Sequence, residues 1–299
     1  MSDIPENLAQ AVGRMVEAKD AITAAPVAGL YAAFGHDVSD PRPGDLLPPL
    51  WHGLFCTAKL PPARLGADGL AKDEGLLPAA PDYPNKLFGG ARFEFRNPLR
   101  IGEEIRKESE VLSFDLKDGK SGAFIVGLIE HRISNARGVA VTEQNDIIYR
   151  PLSAARPSSV ASTASIGTVQ RPAPAAVRSQ DATWTRTITP DPVLMFRHSA
   201  VTFNSHRIHY DRNYVREKGY PGLLVQGTLI ARLMLDLLRQ KRPDFDVTSF
   251  SFRSGRPVYD DGDFTIRATL KGDETSVAFV AVDHAGNTGM TAQATRRSG

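Results

Sequence analysis

Residues 202–211, TFNSHRIHYD, combine several side chains that could carry out proton transfer. His206 and His209 stand three residues apart, and Asn204 lies just before them. A histidine has an ordinary pKa of about 6.5, so it can accept or release a proton close to neutral pH. An asparagine can hold a water molecule or orient an imidazole through hydrogen bonds. The run is therefore a candidate site for general acid–base chemistry.

Two other interpretations of these histidines compete with that one. His206 and His209, with His198, could bind a metal ion, but no cysteine or second acidic ligand stands at a spacing typical of metal sites. The imidazoles could also be structural, buried and hydrogen-bonded to backbone carbonyl groups. The third interpretation, a general base beside a helix that polarises a carbonyl group, depends on the elements around the run.

The run precedes the most apolar segment of the chain, GLLVQGTLIARLMLDLL. It predicts a long buried helix from about residue 223 to 240, too short and too polar for a membrane span. The start of such a helix offers unpaired N–H groups and a partial positive charge. DRNYVREKG predicts a short helix with Asp211 as its N-cap, and PVLMFRHSAVTF predicts a strand before the polar run.

The rest of the chain contains an internal repeat, in which one sequence pattern occurs in each half. FEFRNPLRIGEEI in the first half matches FSFRSGRPVYDDGDFTI in the second, and alternating strands follow each. Strands are predicted at roughly 248–258, 263–271, 275–283 and 288–296. The predicted domains are 1–150 and 183–299, joined by a Pro/Ala/Ser-rich linker over 151–182.

The pattern predicts an α+β chain in which each half is an antiparallel sheet curved round a helix. The first half should carry its own long helix early on, but LWHGLFCTAKL is a poor match there, and prolines crowd it. The first copy therefore reads as degenerate. Residues 1–22 are predicted to form an amphipathic helix, with no features of a signal peptide.

Composition excludes several classes of function. With 36 basic and 34 acidic side chains, the net charge of +2 gives no field that favours nucleic acid or a membrane surface. The single cysteine rules out a disulfide framework within the chain and fits a cytoplasmic location.

The polar run and its surroundings resemble the MaoC-like hydratases and dehydratases, and most closely the hydroxyacyl-thioester dehydratase type 2 subgroup. That subgroup includes hydratases of mesaconyl-C4-CoA, also called 3-methylfumaryl-CoA. The resemblance covers most of the chain apart from the linker. The strings that carry it are FRHSAVTFNSHRIHYDRNYV, KGYPGLLVQG and FSFRSGRPVY in the second half, and LWHGLF and GGARFEFRNPLRIG in the first.

The resemblance implies a double hotdog fold, with two antiparallel sheets each wrapped round a long helix in one chain. It places the active site in the second half and leaves the first half to shape the substrate tunnel. The family's catalytic Asp and His correspond to Asn204 and His209. Because an amide cannot accept the proton, the base would be His209. The backbone N–H of Gly227 would bind the thioester oxygen, and neither a metal nor a cofactor is expected.

The predicted substrate-binding residues extend this site. Arg207 or His206 would bind a free carboxylate of the substrate, although Arg207 could equally bridge to Asp211. Gln226 stands where the family has a histidine. Arg253 and Arg256 are candidates for the phosphates of coenzyme A.

The predicted function is that of a hydro-lyase, an acyl-CoA hydratase acting on a small branched or dicarboxylic enoyl-CoA such as mesaconyl-C4-CoA. A dehydratase of 3-hydroxyacyl groups on acyl carrier protein or coenzyme A is one alternative, and a non-catalytic acyl-thioester-binding protein is another. A thioesterase is disfavoured because Asn204 supplies no carboxylate. The expected partner is an acyl-CoA or acyl carrier protein, with no nucleic acid or membrane, and a homo-oligomer is expected by analogy.

Overall fold

The computed structural model describes residues 4–37, 40–72, 75–119, 122–151 and 182–296. In the first half the helices and strands are α1 (Glu6–Ala9), β1 (Met15–Ala21), α2 (Ala24–Ala33), β2 (Asn85–Phe95), β3 (Glu104–Gly119), β4 (Gly122–Asn135) and β5 (Gly138–Arg150), with 3-10 turns at Trp51–Leu54 and Pro62–Arg64. In the second half they are β6 (Trp184–Ile188), α3 (Pro192–Val201), α4 (Arg212–Glu217), α5 (Gly227–Lys241), β7 (Val247–Ser254), β8 (Phe264–Leu270), β9 (Ser276–Val282) and β10 (Thr288–Arg296), with a 3-10 turn at Arg207–His209. The predicted linker lies outside the described residues except at its ends.

The ten strands form one antiparallel sheet in which the strand order of the first half returns, in the opposite direction, in the second half. The first half runs β1-β3-β4-β5-β2 and the second runs β7-β10-β9-β8-β6, so each strand has a counterpart five strands later. The halves meet where β2 pairs with β7, from Gly90 opposite Arg253 to Glu94 opposite Ser249. This repeated order is the architecture that the matching sequence strings predict.

Helix α5 fills the concave side of the second half of the sheet. Its ten residues from Leu229 to Leu238 are all buried, and Leu229 and Met234 are completely enclosed. Burial on nearly every side explains why the segment is so apolar. The helix begins later than predicted because Leu224 bridges to Tyr259 and Val225 donates its N–H to the carbonyl of Val258, which keeps this stretch extended.

The long helix predicted for the first half is not found among its described residues. The segment LWHGLFCTAKL forms only the short 3-10 turn Trp51–Leu54. The ten-residue helix α2 corresponds instead to α3, because each follows the first strand of its half. The described chain therefore has one long central helix, in the second half. In the first half, a cavity occupies part of the corresponding space.

Two local predictions are wrong. Residues 15–21 lie in the edge strand β1, paired with β3, and not in an amphipathic helix. PVLMFRHSAVTF forms helix α3 and not a strand. The Asp191 side chain caps this helix by accepting hydrogen bonds from the N–H groups of Val193 and Leu194, and Pro192 occupies its first turn.

The strands predicted in the second half are confirmed as β7 to β10, each within a few residues of the predicted bounds. No helix formed by the described residues is long and apolar enough to cross a membrane. Within the same residues, no group of three or more histidine, cysteine, aspartate or glutamate side chains is placed to hold a metal ion.

Candidate functional site

His209 is buried at the end of the 3-10 turn Arg207–His209, with 8% of its surface exposed. Its Nδ1 lies 2.7 Å from the carbonyl oxygen of Leu224. Because a carbonyl can only accept, Nδ1 carries the proton and Nε2 keeps its lone pair. Burial lowers the pKa of His209 to about 4, because its effect exceeds that of the Leu224 hydrogen bond, which raises the pKa; the charge of His206 adds a smaller lowering. The ring is therefore neutral at pH 7 and can accept a proton.

Asn204 lies in the turn that follows helix α3. Its Oδ1 accepts a hydrogen bond from the N–H of His206 at 3.1 Å, and its own N–H donates to the carbonyl of Ser199. The preceding residue, Phe203, has a φ of 52°, an uncommon conformation that turns the chain sharply at this point. The ring of His206 stands edge-on to that of His209, with centroids 5.5 Å apart, and burial lowers the pKa of His206.

Gly227 is the first residue of helix α5, so its N–H group belongs to the first helical turn, which lacks intrahelical partners. A Cβ atom at this position would meet one neighbour, the Met290 Cε at 3.7 Å, which leaves space beside the backbone. A ligand carbonyl could approach the helix terminus there.

Gln226 is fixed in the interior just before α5. Its Nε2 donates to the Met195 carbonyl at 3.0 Å and to the Ser199 hydroxyl at 2.9 Å, while its buried Oε1 has no partner among the described residues. These bonds tie the start of α5 to helix α3. Gln226 therefore positions the helix terminus, and its amide does not line the cavity described next.

A cavity of about 630 Å³ lies between the two halves of the molecule. It reaches the polar run at Asn204 and the first turn of α5 at Thr228, whereas His209 and Gly227 are not among its lining residues. Further along α5 it is lined by Ala231 and Arg232. The first half contributes the opposite wall, including its polar residues His52, Lys107, Ser109, His131, Glu143 and Asn145.

Five of these polar residues form two hydrogen-bonded groups that the sequence did not reveal: His52 with Glu143 and Asn145, and His131 with Ser109. Glu143 lies 3.1 Å from Nε2 of His52 and accepts a hydrogen bond from Asn145 at 2.9 Å. Burial opposes the ionisation of Glu143, but the hydrogen bond and charge of His52 outweigh it and hold the pKa of Glu143 well below its ordinary value. The one sequence signal was polar residues at alternate positions on strand β5, which by itself cannot say which face is buried.

Arg207, predicted as a candidate for carboxylate binding, is engaged elsewhere. Its Nε and Nη2 contact Asp211 at 3.0 and 2.8 Å, and its Nη1 donates to the carbonyl of Ala67. The guanidinium also lies over the ring of Tyr214, 4.5 Å from the centroid. Arg207 does not line the cavity, so the structural alternative, a bridge to Asp211, is the one observed.

The two arginines predicted to bind phosphate also lie away from the cavity lining. Arg256 donates to Asn287 at 3.0 Å in the exposed segments that follow β7 and precede β10. Arg253 lies in β7, opposite Gly90 of β2 and Thr291 of β10. Their contact with coenzyme A stays a prediction.

Fold comparisons define the class of this protein. A MaoC-like dehydratase from Phytophthora capsici aligns over 99% of this chain and 100% of its own, with a TM-score of 0.65 and 13% identity. A Mycobacterium tuberculosis protein described as having a double hotdog fold aligns over 96% of both chains, with a TM-score of 0.55 and 14% identity. The chain thus has a hotdog fold of the type found in MaoC-like dehydratases.

Sequence comparisons then give the family. Residues 50–260 match the family described as hydroxyacyl-thioester dehydratase type 2, and the chain belongs to that family. It is 36% identical over 265 residues to the mesaconyl-C(4)-CoA hydratase of Chloroflexus aurantiacus, a match that covers 88% of this chain and 89% of the relative. The predicted enzyme class, a hydro-lyase, is confirmed by these relationships.

Proposed function

We propose that the protein adds water reversibly across a carbon–carbon double bond conjugated to the thioester of a short, branched dicarboxylic acyl-CoA. The site supports this through a neutral, buried histidine, an asparagine on a cavity wall and a helix terminus with free space beside Gly227. The similarity to a mesaconyl-C(4)-CoA hydratase supports the substrate class.

The helix terminus supplies the electrophilic side of the reaction. The thioester carbonyl accepts a hydrogen bond from the N–H of Gly227, and its oxygen gains negative charge as the enolate forms. A donor fixed before the reaction stabilises that charge, and the loss of one such donor typically costs on the order of 3 kcal/mol. A Cβ atom at Gly227 would meet only Met290 at 3.7 Å, so the backbone there has room for at least a methyl-sized group.

His209 supplies the base. Its Nε2 takes a proton from water, whose oxygen bonds to the β-carbon while the double-bond electrons move toward the thioester carbonyl. The imidazolium then returns a proton to the α-carbon, so the net change is the addition of one water molecule. The amide of Asn204 orients this water from the cavity wall, because it can donate and accept but cannot take the proton.

The observation that carries the proposal is the Nδ1–Leu224 hydrogen bond of 2.7 Å. It fixes the tautomer that leaves Nε2 basic, and it ties that imidazole to the segment leading into α5. A histidine with a purely structural role would not need an Nε2 that is free to accept a proton next to the segment that leads into α5.

The same residues catalyse dehydration in the reverse direction, so a 3-hydroxyacyl thioester on coenzyme A or on acyl carrier protein is the alternative substrate. The acyl-CoA partner, the cytoplasmic location and a homo-oligomeric state belong to this proposal as predictions.

An absorbance assay of enoyl-thioester loss tests the proposal directly. The panel is crotonyl-CoA, mesaconyl-C1-CoA, mesaconyl-C4-CoA and a long-chain enoyl-CoA. We expect the highest kcat/KM with mesaconyl-C4-CoA. If the folded protein consumes none of the four, the proposed function is wrong, and binding of the same thioesters would then indicate a non-catalytic acyl-thioester-binding protein.

A further inference from the structure

We propose that the cavity ends in a carboxylate-binding subsite in which Arg232 of helix α5 is the principal ligand, and that the polar wall of the first half completes it. This inference rests on the proposed function, because it names what holds the far end of a dicarboxylic acyl group. The subsite would select acyl chains that end in a carboxylate over chains that end in a methyl group.

Arg232 carries a buried charge that no carboxylate contacts directly. Burial lowers the pKa of Arg232 to about 10, and the negative charge of Glu143 opposes that lowering from a greater distance. Only 5% of its surface is exposed. Its Nη1 lies 2.8 Å from Nε2 of His198, and its Nε donates to the carbonyl of Leu50 at 3.3 Å, so both contacts are to neutral groups. Among the described residues, no carboxylate lies within ion-pair distance of this guanidinium. A buried cation is costly without a counter-charge, which a ligand carboxylate would supply.

The charged residues that line the cavity also support an anion-binding subsite. Its four charged lining residues, histidines apart, are Glu17, Lys107, Glu143 and Arg232. Both acidic residues have cationic or histidine partners: Arg106 lies 3.0 Å from Glu17, and His52 lies 3.1 Å from Glu143. Neither basic residue has a carboxylate within ion-pair distance in the described part of the chain. The two basic side chains of the cavity are therefore free to contact a ligand carboxylate directly, whereas both acidic side chains already have direct partners.

The position of Arg232 suits the far end of a short acyl group. Thr228, Ala231 and Arg232 line the cavity from one face of α5, as residues three and four apart on a helix do. Arg232 lies five residues beyond Gly227, a rise of about 7.5 Å along the helix axis. A thioester bound at the helix terminus would thus direct a short chain along this face toward the guanidinium.

One side of the guanidinium is kept open by a glycine. A Cβ atom on Gly53 would lie 2.7 Å from Nη2 of Arg232, closer than a real side chain could stand. Gly53 also lines the cavity, and its backbone φ is not in the left-handed region. Gly53→Ala should therefore fold and displace the guanidinium without removing its charge, which gives a second variant that tests geometry alone.

The test measures binding by calorimetry with two ligands of equal carbon number, succinyl-CoA and butyryl-CoA, which differ in a terminal carboxylate or methyl group. Wild-type protein should prefer succinyl-CoA. Arg232→Gln should lower that preference by about 100-fold or more, because a buried charged hydrogen bond is lost. Gly53→Ala should lower it by a smaller factor. The control is Arg239→Gln, which removes an arginine of the same helix that pairs with Asp236 outside this cavity.

The proposal is overturned if wild-type protein shows no preference for succinyl-CoA, or if Arg232→Gln weakens both ligands equally. If Arg232→Gln does not fold, Gly53→Ala decides alone, and an unchanged preference in that variant rejects the subsite. Because the readout is binding, a protein that hydrates nothing can still confirm it. Hydration of the enoyl-CoA panel without any carboxylate preference would reject the subsite and the dicarboxylic substrate class, and leave the hydratase activity in place.

Discussion

The two halves of the sheet have equivalent strands, but they differ in what packs against them. The second half encloses helix α5, whose buried residues are apolar except for Arg232 and Asp236, and the Asn204–His209 segment precedes this helix. In the corresponding region of the first half, the described chain has only short 3-10 turns and the wall of a cavity, lined by His52, His131 and Glu143. A buried helix stabilises one half, and its absence makes room for a ligand in the other.

This difference shows how a duplicated fold can divide its tasks. The second half is filled by a central helix, whereas the described first half has no such helix. The first half gains polar side chains that face inward, which a packed helix would not tolerate unpaired. We infer that the second half performs the chemistry and supplies Arg232, and that the first half completes the acyl site as its opposite wall.

The largest expected effect breaks the chemical side of this comparison. His209→Ala should reduce kcat for hydration by roughly 10²–10⁴-fold, because the general base is lost. The fold should persist, as judged by circular dichroism and thermal unfolding. His284→Ala serves as the control, since His284 is exposed on a turn near Asp261. Near-normal turnover in His209→Ala would rule out the mechanism.

The pH dependence of kcat/KM tests whether the base works in its buried state. A histidine at its ordinary pKa would give an acidic limb near pH 6.5. Because burial lowers the pKa of His209 to about 4, the base stays unprotonated from pH 5 to 8. We expect a flat profile in that range and a fall in activity as the pH drops through about 4. A limb between pH 6 and 7 would contradict the buried imidazole as the base.

A smaller effect should follow from loosening the contact between the halves near the site. Gly69 has a φ of +86°, and a Cβ there would collide with the carbonyl oxygen of Ser205. The Ser205 hydroxyl also donates to the Gly69 carbonyl at 2.6 Å. Gly69→Ala should lower the free energy of unfolding by about 1–3 kcal/mol and raise KM, because the first-half loop no longer fits over Ser205.

The control for that variant is Gly35→Ala. Gly35 has a similar φ of +78° but nothing within 4 Å of a Cβ atom, so it carries the backbone cost without the collision. Equal unfolding free energies and equal KM values for the two variants would mean that the Gly69 contact does not shape the site.

The smallest expected effect concerns Arg207. Its partners are Asp211 and the Ala67 carbonyl, and both ends of the ion pair are partly exposed, so Arg207→Ala should change thermal stability only slightly. Its effect on kcat/KM for mesaconyl-C4-CoA should be far below that of Arg232→Gln. A loss as large as that of Arg232→Gln would return the carboxylate-binding role to Arg207.

Much of the second half could be predicted because its signals are local. Alternation in segments such as Phe264–Leu270 marks half-buried strands, and one long apolar run marks α5. Two failures have physical reasons. β1 consists of residues that favour helices, such as Ala18 and Lys19, but pairing with β3 overrides that preference. In α3, the capping Asp191 before Pro192 was a readable helix start that the apolar run obscured.

The carboxylate subsite could not be predicted in the same way. Arg232 interrupts an apolar helix, and sequence alone cannot say whether such a residue is paired, exposed or facing a cavity. His52, Glu143 and Arg232 are distant in the chain, and they line one cavity because the two halves of the sheet are joined. For Arg207, the sequence left two possible partners, a substrate carboxylate and Asp211, and the structure was needed to decide between them.

The outermost strands of the sheet, β1 and β6, bear on how the protein behaves at high concentration. Exposed strand edges invite other chains to add to a sheet and to grow fibrils. β6 has only five residues, Trp184–Ile188, and β1 carries Glu17, Lys19 and Asp20 along its seven. A short edge on one side and a charged edge on the other leave an incoming strand little to pair with, which protects a very large sheet from aggregation.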